Sequence, residues 1–493
     1  MRRYLVMMTA LLLCCGAAGG ARAEAGQTLA ELGVTPKVSW KKAGQNNPLY
    51  TQRFGADPGV MEYQGRIYVY MTDDIIEYDA SGAVKENSYS QIRCINCISS
   101  DDLVNWTDHG RIPVAGPTGI ARWAQNSWAP CAAHKTMEGK EKFFLYFCNG
   151  GNGIGVLTSD SPTGPWRDEL GHLLITRATP NCANVLWLFD PAVMVDEDGR
   201  GYLAFGGGVP QGKQAAPGTA RIVRLGEDML SLDGDPVTID APYLFEDSGI
   251  NRIGGKYVYT YCSNWQTDGN GLRLTSGAIQ YMTADEPLGL YTYMGELFPN
   301  QGKFFGLYGN NHHSIASLGG EYYFFYHNRP VEQAMGITGN YRSPQIDRLR
   351  VSEDGTLGMV IGTMQGIRQL HPLNPSQEVL ASTMADQAGI EVLVNGEGLP
   401  FVRTSQNSWI KVSGVDFGAG GGELTIRASA EEGCTVWVLA DRLWSGITAE
   451  IVLPAGEETT VTVPLAIEGQ RDLFFVFSGP ADFFGWRVSA PAR

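Results

Sequence analysis

Three acidic residues, Asp57, Asp190 and Glu246, each open a similar stretch of sequence. In each stretch the acid is followed by a short apolar segment, a Gly-containing turn and an aromatic or apolar strand. Carboxyls whose surroundings push their pKa values apart can serve as an acid and a base. Glycoside hydrolysis needs such a pair, and a separation of about 6.5 to 9.5 Å leaves room for an attacking water and gives inversion.

These stretches belong to a repeat with five copies, at 56–74, 128–149, 189–208, 245–264 and 310–328. The heads of the copies are spaced by about 55 to 75 residues, a period that is typical of solenoids and propellers. We align the heads as the following residues: Asp57, Pro130, Asp190, Glu246 and His312. The part of the first copy from Val60 to Thr72 is predicted to be scaffold.

Between residues 50 and 370 the sequence shows short strands separated by Gly, Pro, Asn and Asp turns, with no helical periodicity of useful length. Five units of about 60 residues predict an all-β fold, a closed five-bladed β-propeller. The first strand of each blade lines the central channel, so the heads should converge at one mouth. A single acidic turn residue usually caps its turn, but three at equivalent places in three repeats favour a shared site.

The predicted organisation has five parts: a signal peptide at 1–23, a leader at 24–47, the propeller at 48–370, a Pro-punctuated linker at 371–376, and a β-sandwich (jelly-roll) at 377–493. The signal peptide has Arg2 and Arg3, an apolar run and small residues before a cleavage site. The run is shorter than the about 20 residues that a membrane span needs. We therefore expect a secreted or periplasmic protein with no membrane association after cleavage.

The formal net charge of −15 argues against nucleic acid or an anionic membrane as a partner. A neutral carbohydrate fits better. Of the nine cysteines, seven lie beyond the predicted signal peptide, and an odd number cannot all pair within one chain. Isolated buried thiols, or one or two disulfides, are expected, since the Cys94 and Cys97 pair has no second pair to complete a zinc site.

Aromatic residues lie near the heads of the repeats, where sugar faces could stack on their rings. Each one taken singly is more often a core residue. The candidates for the substrate pocket are Trp128, Trp187, Trp265 and Phe305. His312, as the fifth head, is expected on the channel axis, either as an ordinary buried histidine or facing a hydrated cation. His313 is assigned to the substrate-binding set.

The ordered motifs Ala56-Asp57-Pro58, Trp128-Ala129-Pro130, Phe189-Asp190-Pro191, Glu246 before Gly254-Gly255-Lys256-Tyr257, and Asn311-His312-His313-Ser314 cover residues 48 to 370. In these motifs the chain resembles glycoside hydrolase family 43, five-bladed propeller enzymes that act on arabinose- and xylose-containing polysaccharides. The resemblance implies Asp57 as the general base, Glu246 as the general acid and Asp190 as the modulator of the acid's pKa. It further implies inversion of configuration.

The same resemblance implies that Arg342 contacts the sugar in the innermost subsite. No cofactor is required, although calcium is held in the channel of some members near the counterpart of His312. One departure stands out, because relatives often carry an acid where this chain has Cys131. This puts substrate contacts on that side in doubt.

Residues 375–488 resemble a family 6 carbohydrate-binding module, in segments that include Asn407-Ser408-Trp409-Ile410 and Phe475-Val476-Phe477-Ser478. The acidic residues that open such modules are absent, with Leu380 and Ser382 near their places. Val412 also replaces an aromatic residue, and the usual Asn is missing around Phe483. The module is expected either to bind sugar weakly or to brace the propeller.

The sequence thus predicts an α-L-arabinofuranosidase acting on arabinoxylan, arabinan or xylo-oligosaccharides. A β-xylosidase or arabinanase of the same fold is the near alternative, and a non-catalytic glycan-binding propeller is the alternative from another class. A retaining, fructan-cleaving enzyme should read Asn-Asp-Pro-Asn at the first head, where this chain has Ala-Asp-Pro-Gly.

Overall fold

The structure, a computed structural model, describes residues 26–489. The predicted signal peptide at 1–23 lies outside the described residues. Within the described chain, no helix has both the length and the apolar character needed to cross a membrane. The regular elements of residues 26–489 are almost all β-strands, and the two helices among them are short, Gly302–Phe305 and Pro330–Met335. The expected all-β class is confirmed.

Residues 56–349 form five antiparallel sheets, each a blade of a propeller. The strands of the first blade are β1 (Ala56–Tyr63), β2 (Arg66–Thr72), β3 (Cys94–Ser100) and β4 (Trp106–Pro113). The second blade has β5 (Trp128–Met137), β6 (Lys140–Cys148) and β7 (Ile154–Ser159). The third has β8 (Ala192–Val195), β9 (Gly201–Phe205), β10 (Ala220–Arg224) and β11 (Val237–Ile239). The fourth has β12 (Leu244–Ile253), β13 (Lys256–Ser263), β14 (Ile279–Ala284) and β15 (Thr292–Phe298). The fifth has β16 (His313–Leu318), β17 (Glu321–Asn328) and β18 (Ser343–Leu349).

The first two strands of a blade form because aromatic and β-branched residues alternate around a tight turn. In the first blade, Gly65 takes a φ of 73° in the turn from β1 to β2, a conformation that glycine adopts without steric cost. The side chains of Ile67, Val69 and Met71 are then fully buried in the core shared with the fifth blade. Alternation of this kind stabilises the sheet by packing its covered face.

The innermost strands close into a ring. β1 contacts β5 and β16, β8 contacts β5 and β12, and β12 contacts β16. The segment before β1 completes the fifth blade: the Leu49 N–H donates to the Pro344 carbonyl at 2.9 Å, and the Asn47 side chain bonds both backbone groups of Ile346. Five blades with no free inner edge confirm the predicted propeller.

The alignment of the heads is wrong by one residue in three blades. Strand pairing is interrupted by a bulge between Ala56 and Gly59 in the first blade, and between Glu246 and Gly249 in the fourth. Asp57 in the first blade and Asp247 in the fourth are therefore the first residues inside the bulge.

The backbone conformation gives the same register. Asp57, Ala129, Asp190 and Asp247 have φ values of 50°, 38°, 49° and 67°, in a region that non-glycine residues rarely adopt. In the fifth blade, Asn311 lies two residues before His313, where strand pairing begins. In the first blade, Asp57 likewise lies two residues before Gly59, where pairing resumes after the bulge. The structural heads are thus Asp57, Ala129, Asp190, Asp247 and Asn311, because a bulge adds a residue that motif matching does not count.

Residues 379–489 form a β-sandwich of two packed antiparallel sheets. The strands that follow the propeller are β19 (Val379–Leu380), β20 (Thr383–Met384), β21 (Asp386–Ala388), β22 (Glu391–Val394), β23 (Pro400–Arg403), β24 (Trp409–Asp416), β25 (Gly422–Ala430), β26 (Cys434–Ala440), β27 (Ile447–Leu453), β28 (Gly456–Leu465), β29 (Gln470–Phe477) and β30 (Asp482–Ser489). One sheet has the order β22-β23-β30-β25-β28 with β19 beside β30, and the other β21-β24-β29-β26-β27. The core between them includes Ile426, Phe475 and Trp486, which confirms the predicted sandwich.

The sandwich and the propeller share backbone pairing. β20 adds a fifth strand to the first blade by pairing with β4, and the Asn105 side chain bonds both backbone groups of Ser413 in the sandwich. The predicted leader also belongs to the sandwich, since Leu29 is 2% exposed and packs with Trp409 and Trp437.

All seven cysteines within the described residues are free, and six of them are buried. Of the two expected outcomes, isolated thiols or one or two disulfides, the structure shows isolated thiols within the described residues. Burial raises the pKa of Cys97 and of Cys131, so these thiols are neutral and inert at physiological pH.

Candidate active site

Asp57 is a nearly buried carboxylate held by two hydrogen-bond donors. Arg342 Nη1 donates to Asp57 Oδ1 at 2.8 Å, and the Thr72 hydroxyl donates to Oδ2 at 2.7 Å. The Thr72 oxygen in turn accepts the Ala129 N–H at 2.8 Å, so the bulge of the next blade fixes its orientation. Burial alone would raise the pKa of Asp57, but the charge of Arg342 outweighs burial and holds this pKa well below its usual range. Asp57 is therefore an ionised group that can accept a proton.

His327 supports the backbone of Asp57. Its Nδ1 accepts the Asp57 N–H at 3.1 Å, and its Nε2 lies 3.0 Å from the Asn310 carbonyl, to which it donates. These two bonds define a neutral ring with its proton on Nε2. His327 thus stabilises the left-handed backbone conformation that turns Asp57 into the channel.

Arg342 is buried and is clamped by two carboxylates. It donates from Nε and Nη2 to the two oxygens of Asp74, both at 2.8 Å, and from Nη1 to Asp57. The bidentate geometry fixes the plane of the guanidinium. Three of its five N–H donors are used in these bonds, which leaves two that can reach a ligand.

Glu246 differs from Asp57 in charge environment. It is partly exposed, and its Oε1 has no hydrogen-bond partner within the described residues. Burial, followed by the charges of Asp57 and Asp247, raises the pKa of Glu246 to about 8, against a smaller opposing effect of Arg342. Glu246 therefore keeps its proton at neutral pH and can donate it to an entering oxygen.

Asp190 interacts electrostatically with both Glu246 and Asp57. Its Oδ2 accepts the Asp247 N–H at 2.9 Å, and its own N–H donates to Cys148 Sγ at 2.9 Å. Burial and the charges of Glu246 and Asp57 raise its pKa well above the ordinary value. The carboxyls of Asp190 and Glu246 thus form a pair in which ionisation of one disfavours ionisation of the other.

A buried cluster of Asp247, His312 and His313 lies behind this pair. Asp247 Oδ2 lies 2.5 Å from His313 Nδ1, and Oδ1 lies 3.1 Å from His312 Nε2. The second ring nitrogen of His313 bonds the Thr260 hydroxyl at 2.7 Å. The assignment of His313 to substrate binding is wrong, since its side chain is fully buried with both ring nitrogens occupied.

His312 does lie on the channel axis, as expected. Its Nδ1 is 3.6 Å from Asp57 Oδ1 and 4.0 Å from Asp190 Oδ2. Burial lowers the pKa of His312, although the charges of Asp247 and Asp57 oppose this. A neutral His312 therefore presents polar ring nitrogens to the carboxylates without adding a full charge.

The residues around His312 do not form a direct calcium site. Calcium takes six to eight oxygen ligands, whereas within residues 26–489 no group of three or more His, Cys, Asp and Glu side chains is arranged to hold a metal. A cation there would depend on water for most of its ligands. No step of the reaction described below uses one.

Two of the four candidate aromatic residues border the carboxylates. Trp187 packs edge-on against Phe245, the residue before Glu246, with ring centroids 5.2 Å apart. Trp128 donates from Nε1 to the Tyr89 carbonyl at 3.0 Å and meets the Tyr89 ring edge-on. Trp128 belongs to the second blade and Trp187 directly precedes the third, and both rings lie at the level of the heads.

The other two aromatic candidates lie elsewhere. Trp265 is 44% exposed and rests over Gly277, on the loop that follows β13. Phe305 is partly buried, and its ring stacks on Tyr326 against the core of the fourth and fifth blades. Cys131 is also buried, between the second and third blades. The change from the acid that relatives often carry therefore affects the packing between these blades.

Several residues at the site were missed in the sequence. Thr72, predicted to be scaffold, bonds Asp57 directly, and Asp74, two residues later, holds Arg342. Their position at the end of β2, beside the heads, was a usable signal. His327 and Tyr89 carried no such signal, since their contacts depend on a neighbouring blade and on a long loop.

The fold and the channel carboxyls together define a propeller glycosidase, with one ionised and one protonated carboxyl at the same mouth. The chain belongs to glycosyl hydrolases family 43, whose model matches residues 45–357.

Similar proteins cover nearly the whole chain. An arabinoxylan arabinofuranohydrolase of Paenibacillus polymyxa is 44% identical over 89% of this chain and 73% of its own length. Another, from Bacillus subtilis, is 42% identical over 95% of this chain and 94% of its own length. A crystal structure of a Bacillus subtilis family 43 arabinoxylan arabinofuranohydrolase in complex with cellotetraose is 40% identical. It superposes with a TM-score of 0.88, covering 92% of this chain and 99% of that one.

Proposed function

We propose that this protein is an inverting α-L-arabinofuranosidase that removes arabinofuranose units from arabinoxylan or its oligosaccharides. The observation that carries the proposal is the different pairing of two carboxyls in one channel: Asp57 bonds the Arg342 guanidinium at 2.8 Å, whereas Glu246 Oε1 has no hydrogen-bond partner within the described residues. This pairing favours an ionised Asp57 and a protonated Glu246. The names of the relatives that match almost the whole chain support the substrate class. Export to the periplasm or beyond is part of the proposal.

In the proposed reaction, Asp57 takes a proton from water as that water attacks the anomeric carbon. Glu246 gives its proton to the leaving oxygen. The bond from the anomeric carbon to the leaving oxygen breaks as the bond to water forms, so configuration inverts. Asp190 modulates the pKa of Glu246, and a free N–H of Arg342 contacts the bound sugar.

The proposed pocket walls are Trp128 and Trp187, which border the heads, with Trp265 on the rim. The C-terminal sandwich is proposed mainly to brace the propeller, which its strand pairing with the first blade supports. Weak sugar binding by the sandwich remains a prediction from its resemblance to family 6 modules.

The test is the release of arabinose from wheat arabinoxylan and from nitrophenyl α-L-arabinofuranoside, with nitrophenyl β-xyloside as the comparison. We expect arabinose as the main product, and NMR of the first-formed anomer should show inversion. Preference for the xyloside would instead identify a β-xylosidase. No release from any of the three would leave the non-catalytic glycan-binding alternative.

A further inference from the structure

We propose that Tyr89 is a positioning residue for Arg342, which its ring holds in place beside Asp57. The inference rests on the proposed function, in which Asp57 is the base. Tyr89 lies in the long loop between β2 and β3, and neither the repeats nor the family motifs point to it.

The ring of Tyr89 covers one face of the Arg342 guanidinium, with Cζ 5.1 Å from the ring centroid. Asp74 and Asp57 bond the edges of the same guanidinium. A cation over an aromatic face is attracted most strongly where water is excluded, and Arg342 is only 4% exposed. The ring therefore limits movement of the guanidinium out of its plane on that side, while the two carboxylates hold it in the plane.

The backbone of Tyr89 is held in an unfavourable conformation. Its φ of 59° lies in the left-handed region, which is rare for bulky residues. Such strain persists only where the surroundings enforce it, and it concentrates at functional sites. Here the Tyr89 N–H donates to Asn87 Oδ1 at 2.9 Å, and its carbonyl accepts the Trp128 Nε1–H.

The loop is also fastened to the segment that carries Arg342. The Asn87 N–H donates to the Gly339 carbonyl at 2.8 Å, and the Tyr341 hydroxyl donates to the Lys85 carbonyl at 2.9 Å. The same hydroxyl accepts the Glu77 N–H at 2.7 Å. A loop of the first blade thus grips the fifth blade one to three residues before Arg342, which fixes the Tyr89 ring relative to the guanidinium.

The pKa of the Tyr89 hydroxyl is consistent with a contact made by the ring. Burial, followed by the carboxylates of Asp74, Asp57 and Glu246, raises the pKa of Tyr89 against the opposing charge of Arg342. The phenol is therefore neutral at working pH. The ring face, and not the hydroxyl, makes the contact with Arg342.

The experiment compares Tyr89→Phe, Tyr89→Ala and Tyr89→Gly with wild type on nitrophenyl α-L-arabinofuranoside. Tyr89→Phe keeps the ring and should stay within about twofold of wild type. Tyr89→Ala and Tyr89→Gly should lower kcat by roughly tenfold or more with KM changed less than about threefold, since a lost positioning contact acts on the transition state. Glycine suits the left-handed φ, so Tyr89→Gly removes the ring without backbone strain even if Tyr89→Ala folds poorly.

The matched control is Tyr78→Ala, in the same loop, where the side chain is 58% exposed and activity should not change. Wild-type rates in Tyr89→Gly would overturn the inference, as would a loss in Tyr89→Phe equal to that in Tyr89→Gly. A loss confined to KM would also overturn it, by making Tyr89 a sugar platform. An inactive wild type would remove the proposed function and this inference together, whereas an active wild type with unaffected variants would remove the inference alone.

Discussion

At the scale of the residue, Asp57 and Glu246 are both surrounded by low-dielectric protein but have different partners. Asp57 meets a guanidinium directly, whereas Glu246 meets mostly negative charge. One carboxyl is therefore ionised and the other protonated without any bound ligand. Arg342 sets much of this difference, because its charge acts more strongly on the carboxylate that it bonds.

Replacing Glu246 with Gln should separate acid catalysis from the rest of the reaction. Without a proton donor, release from arabinoxylan, which has a poor leaving group, should fall by about 10²- to 10⁴-fold. A nitrophenyl leaving group needs little protonation, so that substrate should be affected much less. Initial rates on both substrates provide the measurement. Asp57→Asn is the comparison, since loss of the base should impair both substrates alike; equal losses in Glu246→Gln would contradict the assignment of the acid.

The alkaline limb of the pH–rate profile should report Glu246. Its raised pKa means that the active, protonated form is lost as pH rises through about 8. Asp247→Asn removes a negative charge that raises this pKa, so the alkaline limb of kcat/KM should move to lower pH. Asp285→Asn, whose side chain is 85% exposed, is the control and should leave the limb in place. A limb that stays fixed in Asp247→Asn would show that another group sets it.

The sequence could predict the site residues that the local repeat marks, but it could not predict those that only strand pairing brings together. Asp57 and Asp190 follow from the repeat alone, because each precedes a proline at the start of an inner strand. Glu246 and Asp247 are adjacent, and only the bulge in β12 decides which of them is the structural head. His313 resembles a site residue in sequence, but its ring is enclosed by Asp247 and Thr260. Only the arrangement of the neighbouring strands determines this enclosure.

At the scale of the element, the leader shows why local pattern was insufficient. Residues 26–47 have no repeat and little regular structure, so no local pattern predicted which domain they pack against. The structure places Leu29 and Val34 against one outer face of the sandwich, and the buried Lys41 donates to the Ala385 carbonyl at 2.8 Å. Contacts across more than 340 residues of sequence cannot be read from neighbouring residues.

Leu29→Ala should therefore destabilise the protein as a core substitution does, by about 2 to 4 kcal/mol. The reason is the cavity that it would leave beside Trp409 and Trp437. Leu32→Ala, three residues away and 37% exposed, should change stability by less than about 0.5 kcal/mol. Urea unfolding followed by tryptophan fluorescence gives both values. Equal effects of the two substitutions would show that the leader does not pack on the sandwich.

At the scale of the whole molecule, the propeller and the sandwich are joined by more than the linker at 371–376. β20 pairs with β4, the leader crosses from the sandwich to the fifth blade, and Asn105 bonds the backbone of Ser413. The sandwich therefore holds the outer edge of the first blade, the same blade that carries Asp57 and the Tyr89 loop. This arrangement predicts that the two domains unfold together.

Asn105→Ala tests that coupling at a polar contact between the two domains. The Asn105 side chain accepts the Ser413 N–H at 2.8 Å and donates to the Ser413 carbonyl at 2.9 Å, and the residue is 2% exposed. Its loss leaves the Ser413 N–H without this acceptor, whereas the Ser413 carbonyl keeps the bond from Gln369 Nε2 at 3.0 Å. The expected cost is about 1 to 3 kcal/mol. In differential scanning calorimetry we expect one transition for wild type, and for Asn105→Ala a lower Tm with broadening or separation into two transitions. Asn374→Ala, in the exposed linker, should match wild type. Two well-separated transitions in wild type would contradict the coupling, because the sandwich would then be an independent module attached by a tether.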